Sequence, residues 1–269
     1  MSTDMSGSRF AVISDIHGNY EALGKALKLI KKQGIDNILC LGDVIGYGAD
    51  PNKCFRLARK ECSIVLMGNH EAMLIDENQK RSSLCEESFS WTKQTIAKEV
   101  LDDLPLLPFS HEEKNIKFFH ASSDNSLNNW PYLKEKDQII DSFKDCGNVC
   151  FYGHTHRPRI TVVGDEIIDF YITQTTECEV DLSKEKCYIN PGSIGQQRDT
   201  KTDLSFAICE LNGDLLKVKI ERHKYNSLRA FLKTKYQGCG KNNALYLVRE
   251  KWRKRLYESI SYWCKWLYR

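Results

Sequence analysis

Along this chain the spacing of apolar positions switches between two periods, and the switches recur. Phe10 to Ser14 is an apolar, β-rich run, followed by Asn19, placed to cap a helix. Leu23, Ala26, Leu27 and Ile30 then repeat at helical spacing up to Gly34. The unit is strand, loop, helix. It repeats: Asn37 to Leu41 reads as a strand, Asp50-Pro51 opens a helix with Pro at its first position, and Ser63 to Met67 is a third strand. Strands joined through helices in this way are expected to lie parallel.

Residues 70 to 104 carry a helical pattern that breaks at Leu104-Pro105-Leu106-Leu107-Pro108, and Asn115 to Phe119 is the next strand. After a helix near 134 to 144, Val149 to Tyr152 is a strand again. Then the character changes. Arg159 to Val163, Glu166 to Ile172, Cys187 to Ile189, Phe206 to Leu211 and Leu216 to Glu221 are strand-like, with Asn212-Gly213 as a hairpin turn. A second, more antiparallel sheet is expected from them, and from Tyr225 the chain turns helical. No repeat or Pro-rich linker divides it.

At 269 residues and 41% hydrophobic, the chain has the composition of a soluble globular protein. Its first residues lack the apolar core of a signal peptide, and no apolar run is long enough to span a bilayer, so a cytoplasmic protein is expected. Eleven cysteines are scattered with no Cys-x-x-Cys pair. Reduced, buried thiols fit better than a disulfide framework or a zinc ribbon. The net charge of +3 is unevenly held, since residues 251 to 269 carry six Lys/Arg against one Glu. The first 250 residues hold 33 Lys/Arg against 35 Asp/Glu.

Five short motifs sit where strands end: Asp15-Ile16-His17, Gly42-Asp43, Gly68-Asn69-His70-Glu71, His120, and Gly153-His154-Thr155-His156. Taken singly, most have ordinary explanations: a helix cap, turn dipeptides, a core histidine. In this order, each after an apolar run, they resemble the calcineurin-like metallophosphoesterase superfamily. Its pattern runs Asp-x-His, Gly-Asp, Gly-Asn-His-Asp/Glu, His, Gly-His-x-His, and every position is filled. The longer stretches Gly42-Asp43-Val44-Ile45-Gly46-Tyr47-Gly48 and Asn190-Pro191-Gly192-Ser193-Ile194-Gly195-Gln196-Gln197-Arg198-Asp199 are similar to its small bacterial and archaeal phosphodiesterase branch.

The resemblance covers roughly residues 9 to 225. It implies an α/β fold, a four-layer α-β-β-α sandwich of two mixed sheets, with residues 1–8 as a flexible N-terminus and 226–269 as a helical extension. Residue by residue, it implies that Asp15, His17 and His156 hold one divalent ion. Asn69, His120 and His154 would hold a second, with Asp43 bridging. Oxygen and imidazole donors without thiolate suit Mn²⁺ first, with Fe or Zn²⁺ as alternatives. The implied activity is hydrolysis of a phosphoester or phosphoanhydride by a metal-bridging hydroxide, with a phosphodiester or dinucleoside polyphosphate foremost and a phosphomonoester as alternative. His70 would serve the leaving oxygen, and Glu71 or Asp50 are candidates to orient it.

The protein-phosphatase continuation Asp-Arg-Gly is absent after Gly42-Asp43, which argues against a Ser/Thr protein phosphatase. Asn19, Arg157 and Arg198 lie in motif loops and are candidate contacts to substrate phosphate or nucleotide, although Arg198 could instead pair with Asp199 or Asp203. Tyr47 reads as a loop tyrosine packed on Pro51, with stacking on a nucleobase as the alternative. A non-catalytic protein-binding scaffold on the same fold, as in a retromer subunit, is the rival reading, and retention of all seven ligands opposes it. An amidohydrolase-type barrel is disfavoured because its His-x-His pair comes first.

Trp252, Leu256, Ile260, Trp263 and Leu267 form an apolar stripe flanked by basic residues. This stripe is expected to dock on the domain, join a homo-oligomer, or lie on an anionic membrane surface as a peripheral contact. It suits a specific nucleic-acid partner less well.

Overall fold

The computed structural model describes residues 8–76, 83–113, 115–199, 201–239 and 241–247. The aromatic stripe of residues 251–269 and the N-terminal segment before Ser8 lie outside the described residues. In chain order the first half runs β1 (Ser8–Ile13), α1 (Tyr20–Lys32), β2 (Ile38–Cys40), α2 (Pro51–Glu61), β3 (Ile64–Val65), α3 (Asn69–Ile75), α4 (Ser83–Thr95), α5 (Lys98–Asp103), β4 (Ser110–Glu113) and β5 (Ile116–Phe119). The second half runs α6 (Lys136–Phe143), β6 (Val149–Phe151), β7 (Arg159–Val163), β8 (Ile167–Tyr171), β9 (Thr176–Asp181), β10 (Lys186–Asn190), β11 (Leu204–Asn212), β12 (Leu215–His223), α7 (Ser227–Tyr236) and α8 (Lys241–Leu245).

Two six-stranded sheets result, ordered β3-β2-β1-β11-β12-β9 and β4-β5-β6-β10-β7-β8. Both are mixed. In the first, β1, β2 and β3 are parallel while β11 lies antiparallel to β1; in the second, β5, β6 and β10 are parallel while β4, β7 and β8 run against their neighbours. The late strands therefore do not build a separate antiparallel sheet, as their pattern suggests. Instead β9, β11 and β12 complete the first sheet, and β7, β8 and β10 complete the second.

Period-two alternation on β1 explains the layering. Phe10 and Val12 point between the sheets, where they meet Leu39, Ala207, Val218, Phe118, Phe151, Ile160 and Ile189. Ala11 and Ile13 point the other way, onto Leu23, Ala26 and Ile30 of α1 and Phe55 of α2. On the far face of the second sheet, Ile139 and Phe143 of α6 cover Cys150, Tyr152 and Tyr188. Helix, sheet, sheet, helix is the order of the layers.

Among the described residues, the expected helical stretch from 70 to 104 holds helices α3, α4 and α5. A break falls at Ile96-Ala97, where Ala97 is extended and its N–H is taken by the side chain of Asn52. Strands β4, reading Ser-His-Glu-Glu, and β9, reading Thr-Glu-Cys-Glu-Val-Asp, carry no apolar run, and both lie at sheet edges where charged strands are stable. The described cysteines are all free thiols. No helix among the described residues is long and apolar enough to cross a membrane.

Phe151 is fully buried between the sheets, stacked on Phe118 at 5.2 Å and edge-on to Phe10 at 6.0 Å. Phe151→Ala is expected to lower unfolding stability by about 3–5 kcal/mol in denaturant titration. A loss below about 1 kcal/mol would place the main core elsewhere.

Candidate metal centre

Strand β1 delivers Asp15 and His17, β2 delivers Asp43, β3 delivers Asn69 at the start of α3, β5 delivers His120, and β6 delivers His154 and His156. Because the parallel strands of both sheets end at one side, these loops meet there. They interlock through backbone bonds: Asp15 N–H to Gly42 O at 3.1 Å, His17 N–H to Asp43 O at 2.9 Å, and Gly195 N–H to Asp15 O at 2.9 Å.

Asp15, His17, Asp43 and His156 offer donor atoms within 4.8 Å of one another, and so do Asp43, His120 and His154. Asp43 belongs to both groups. Its Oδ2 lies 3.6 Å from His17 Nε2 and 3.3 Å from His120 Nε2. Asn69 stands beside the second group, its Oδ1 3.1 Å from His120 Nε2. All seven residues expected to share a site thus fall in one cluster.

Three imidazoles are oriented alike. Nδ1 of His17 faces Ile45 O at 3.2 Å, Nδ1 of His120 faces Leu41 O at 3.0 Å, and Nδ1 of His156 faces Gln196 O. A carbonyl only accepts, so each Nδ1 carries its hydrogen and each Nε2 presents a lone pair inward. His17 Nε2 and His156 Nε2 then face one another at 3.0 Å, and His156 Nε2 faces Asp15 Oδ1 at 3.2 Å. Asp15 Oδ1 is buried without a hydrogen-bond partner. Acceptors converging on acceptors, around an orphaned carboxylate oxygen, make a site able to hold a cation.

The charge balance says the same. Burial opposes ionisation of Asp15 and Asp43, yet the adjoining imidazoles hold both well below the usual carboxylate range. Burial likewise pulls His120 down, but the Asp43 charge and hydrogen bond overcome it and raise the group to about 9. His17 and His156 are lowered, chiefly by burial, and burial takes His154 down to about 3.

His70 is buried and belongs to neither group. Its ring packs against His17 at 4.7 Å and Tyr47 at 4.4 Å, and its N–H donates to Asp43 Oδ1 at 2.9 Å. Burial pulls its pKa down to about 4. A Cβ on Gly46 would lie 2.1 Å from His70 Nδ1, so the bare glycine makes the space that the ring fills. Gly68 does the same for Asp43, since a Cβ there would sit 2.2 Å from Asp43 Oδ1.

Four expectations need correction. Glu71 does not orient His70: its Oε2 accepts from the N–H groups of Asp43 and Gly68, and its Oε1 from those of Val44 and Ile45, all at 2.9 to 3.0 Å. It clamps the Asp43 loop from below. Asp50 points away, paired with Lys233 at 2.6 Å and Lys53 at 3.2 Å. Asn19 is not open to a substrate, because its Oδ1 caps α1 at Ala22 N–H and its amide hydrogens go to Gly195 O and the Tyr225 hydroxyl. Tyr47 is buried against the imidazoles of His17 and His70 rather than standing at an open nucleobase position.

Arg198 leaves Asp199 to Arg222 and donates to the Tyr47 hydroxyl at 3.3 Å, with Tyr132 as a further partner. Its charge also helps hold down His70, His154 and His156. Arg157 is exposed, with its Nε on the backbone oxygen of Arg198 at 3.1 Å. Two aromatic residues escaped the sequence reading. Trp130 lies edge-on to His120 at 5.6 Å and Tyr132 to His154 at 5.4 Å, both from a loop without apolar period to mark it.

Two packed mixed sheets with an Asp/His cluster at their strand ends define a metallophosphoesterase-type α/β sandwich. The calcineurin-like phosphoesterase superfamily domain matches residues 9–214. A protein of Methanocaldococcus jannaschii, MJ0912, is 36% identical over 239 residues, spanning 85% of this chain and 93% of that one. The crystal structure of a metallophosphoesterase from Sphaerobacter thermophilus superposes with a TM-score of 0.73 at 25% identity, over 89% of this chain and 97% of that one. The chain belongs to the calcineurin-like phosphoesterase superfamily.

Glu71→Gln tests the clamp, since in either orientation the new NH₂ would face two N–H donors. The substitution is expected to cost about 1–3 kcal/mol in stability. Titration should also show Mn²⁺ affinity weakened roughly 10- to 100-fold. Wild-type values for both would mean that the carboxylate does not hold the loop.

Proposed function

We propose that this chain is a metal-dependent phosphohydrolase that cleaves phosphoester or phosphoanhydride bonds, phosphodiesters and dinucleoside polyphosphates foremost. The observation that carries the reading is the convergence of three Nδ1-anchored imidazoles on Asp15 and Asp43, with Asp15 Oδ1 left unpaired. In this reading Asp15, His17 and His156 hold one divalent ion, Asn69, His120 and His154 a second, and Asp43 both. Mn²⁺ suits the donors best, with Fe or Zn²⁺ next. When bound, such ions activate water near neutral pH and offset charge on phosphate oxygens.

The remaining chemistry falls to the protein. His70 stands beside the cluster without joining it, and in this reading it serves the leaving oxygen as a hydrogen-bond donor. Asp43 fixes His70 through the backbone, while Gly46 and Tyr47 fix its ring. Arg198, braced by Tyr47, supplies a guanidinium that pairs with phosphate oxygens. The lean to diesters rests on the motif resemblance.

A Mn²⁺-supplemented screen over bis-p-nitrophenyl phosphate, p-nitrophenyl phosphate, cyclic nucleotides and diadenosine polyphosphates tests the reading. Turnover of at least one substrate, abolished by EDTA, is expected. Asp43→Ala should lose both metal and activity, and His70→Ala should keep its metal while turnover falls about 10²- to 10⁴-fold. One background rate shared by all three proteins would end the hypothesis. Gly46→Ala is a finer probe: kcat should drop by about tenfold or more at wild-type metal content, because the new methyl displaces His70. Unaltered kcat would remove His70 from the reaction.

A further inference from the structure

A cavity of about 430 Å³ is walled by Arg157, Pro158, Tyr171, Ile172, Thr173 and Arg198. Its two arginines come from motif loops, whereas Tyr171, Ile172 and Thr173 belong to no motif. Its volume falls in the range of small-molecule sites.

Tyr171 is the unusual wall. It stands on the edge strand β8 with 48% of its surface exposed, yet it is held rigidly. Its hydroxyl donates to Lys134 O at 3.3 Å and accepts from Arg159 Nη1 at 3.1 Å, while the Arg159 guanidinium lies 4.7 Å from the ring centre. Arg159 is itself buried and gripped by Asp169 through two bonds of 2.7 and 2.5 Å. An exposed aromatic ring fixed at its hydroxyl and covered by a guanidinium is a preformed stacking platform.

The lining also carries cations. Arg157 and Arg198 line it, and the acidic residue at the rim, Asp199, is already paired with Arg222. The Arg198 guanidinium reaches Tyr47, whose ring packs on His17 and His70, so one residue of the cavity lining is linked to the cluster through this side chain. A flat ring and two guanidiniums in the lining of one cavity match a molecule that joins a π-face to a phosphate through a short sugar.

We propose that this cavity is a nucleoside-phosphate subsite, in which the base stacks on Tyr171 and Arg157 and Arg198 carry the phosphate toward the cluster. The proposal rests on the phosphohydrolase reading for its purpose, and it assigns the part of the substrate beyond the scissile bond.

Calorimetric titration of metal-free protein with AMP, ribose 5-phosphate and inorganic phosphate tests it. AMP should bind roughly fivefold or more tighter than ribose 5-phosphate, the factor that one stacked base supplies. Tyr171→Ala and Thr173→Trp, the first removing the platform and the second filling the cavity, should each bring AMP down to the ribose 5-phosphate level. Thr173 is exposed, so its substitution keeps the test valid if Tyr171→Ala fails to fold. The subsite is overturned if AMP binds no tighter than ribose 5-phosphate, or if a folded variant binds AMP as the wild type does. Turnover of bis-p-nitrophenyl phosphate by wild-type protein with Mn²⁺, measured alongside, separates the two ideas. Turnover without base preference sinks the subsite alone, and base preference with no turnover of this diester or of any other substrate of the screen sinks the phosphohydrolase reading alone.

Discussion

Left-handed backbone at the cluster is the constraint on which the rest of the site depends. Asp15, His17, Asp43, His154 and His156 all have φ between 48° and 62°, and Tyr47 above them has 49°. Among the described residues Asn115 is the one other non-glycine in this region. Each such residue costs roughly 1–3 kcal/mol. The gain is directional: in Asp15-Ile16-His17 and His154-Thr155-His156 the turn brings side chains two apart into the same pocket. The cost is met by over-determination, since the loops bond to one another through backbone groups and the Ser193 hydroxyl holds Asp15 O at 2.8 Å.

Electrostatics adds a second constraint. Asp15, Asp43 and Glu71 are buried close together, and burial together with Asp43 pushes Glu71 up to about 7 even though backbone N–H groups favour its charged form. His17 and His156, lowered by burial and keeping their hydrogens on Nδ1, bring lone pairs, not positive charge. Divalent cations between Asp15 and Asp43 would offset this surplus, and a proton on His120 does the same in part. The four amides around Glu71 explain the acid in the fourth place of Gly68-Asn69-His70-Glu71. Only a carboxylate accepts on both oxygens.

Much of this was legible in the sequence because ligand positions coincide with strand ends, and strand ends are marked by apolar runs stopping at Gly or Asp. The strands carrying Asp15, Asp43, His120 and His154 were placed to within a residue or two for that reason. Illegible were features with no period. Strands β4 and β9 are charged edges, and the pairing of late strands depends on contacts between residues far apart in the chain. The roles of Glu71, Gly46 and Asn19 were also hidden. Each acts on a neighbour 24 or more residues away: Gly46 on His70, Glu71 on the loop at Asp43, and Asn19 on Gly195 and Tyr225. A sequence reports that a polar residue is present, but not which backbone it will satisfy.

That distinction changes how the residues after 225 are understood. The motif resemblance ends there, which suggests an appendage. The Tyr225 hydroxyl, however, receives a hydrogen bond from Asn19, and Asn19 in turn holds Gly195, whose N–H is bonded to Asp15 O. Farther along α7, Lys233 bridges Glu21 at the start of α1 and Asp50 at the start of α2, at 2.7 and 2.6 Å, and Arg229 joins Glu21. These contacts fall on the two helices that follow the Asp15 and Asp43 loops. Exposed ion pairs contribute little singly, but Glu21 and Asp50 are shielded and share one ammonium, which favours a fixed geometry over a fluctuating one. Helix α7 thus braces the strained loops from outside, and the support of the metal centre extends past the point where the family pattern stops.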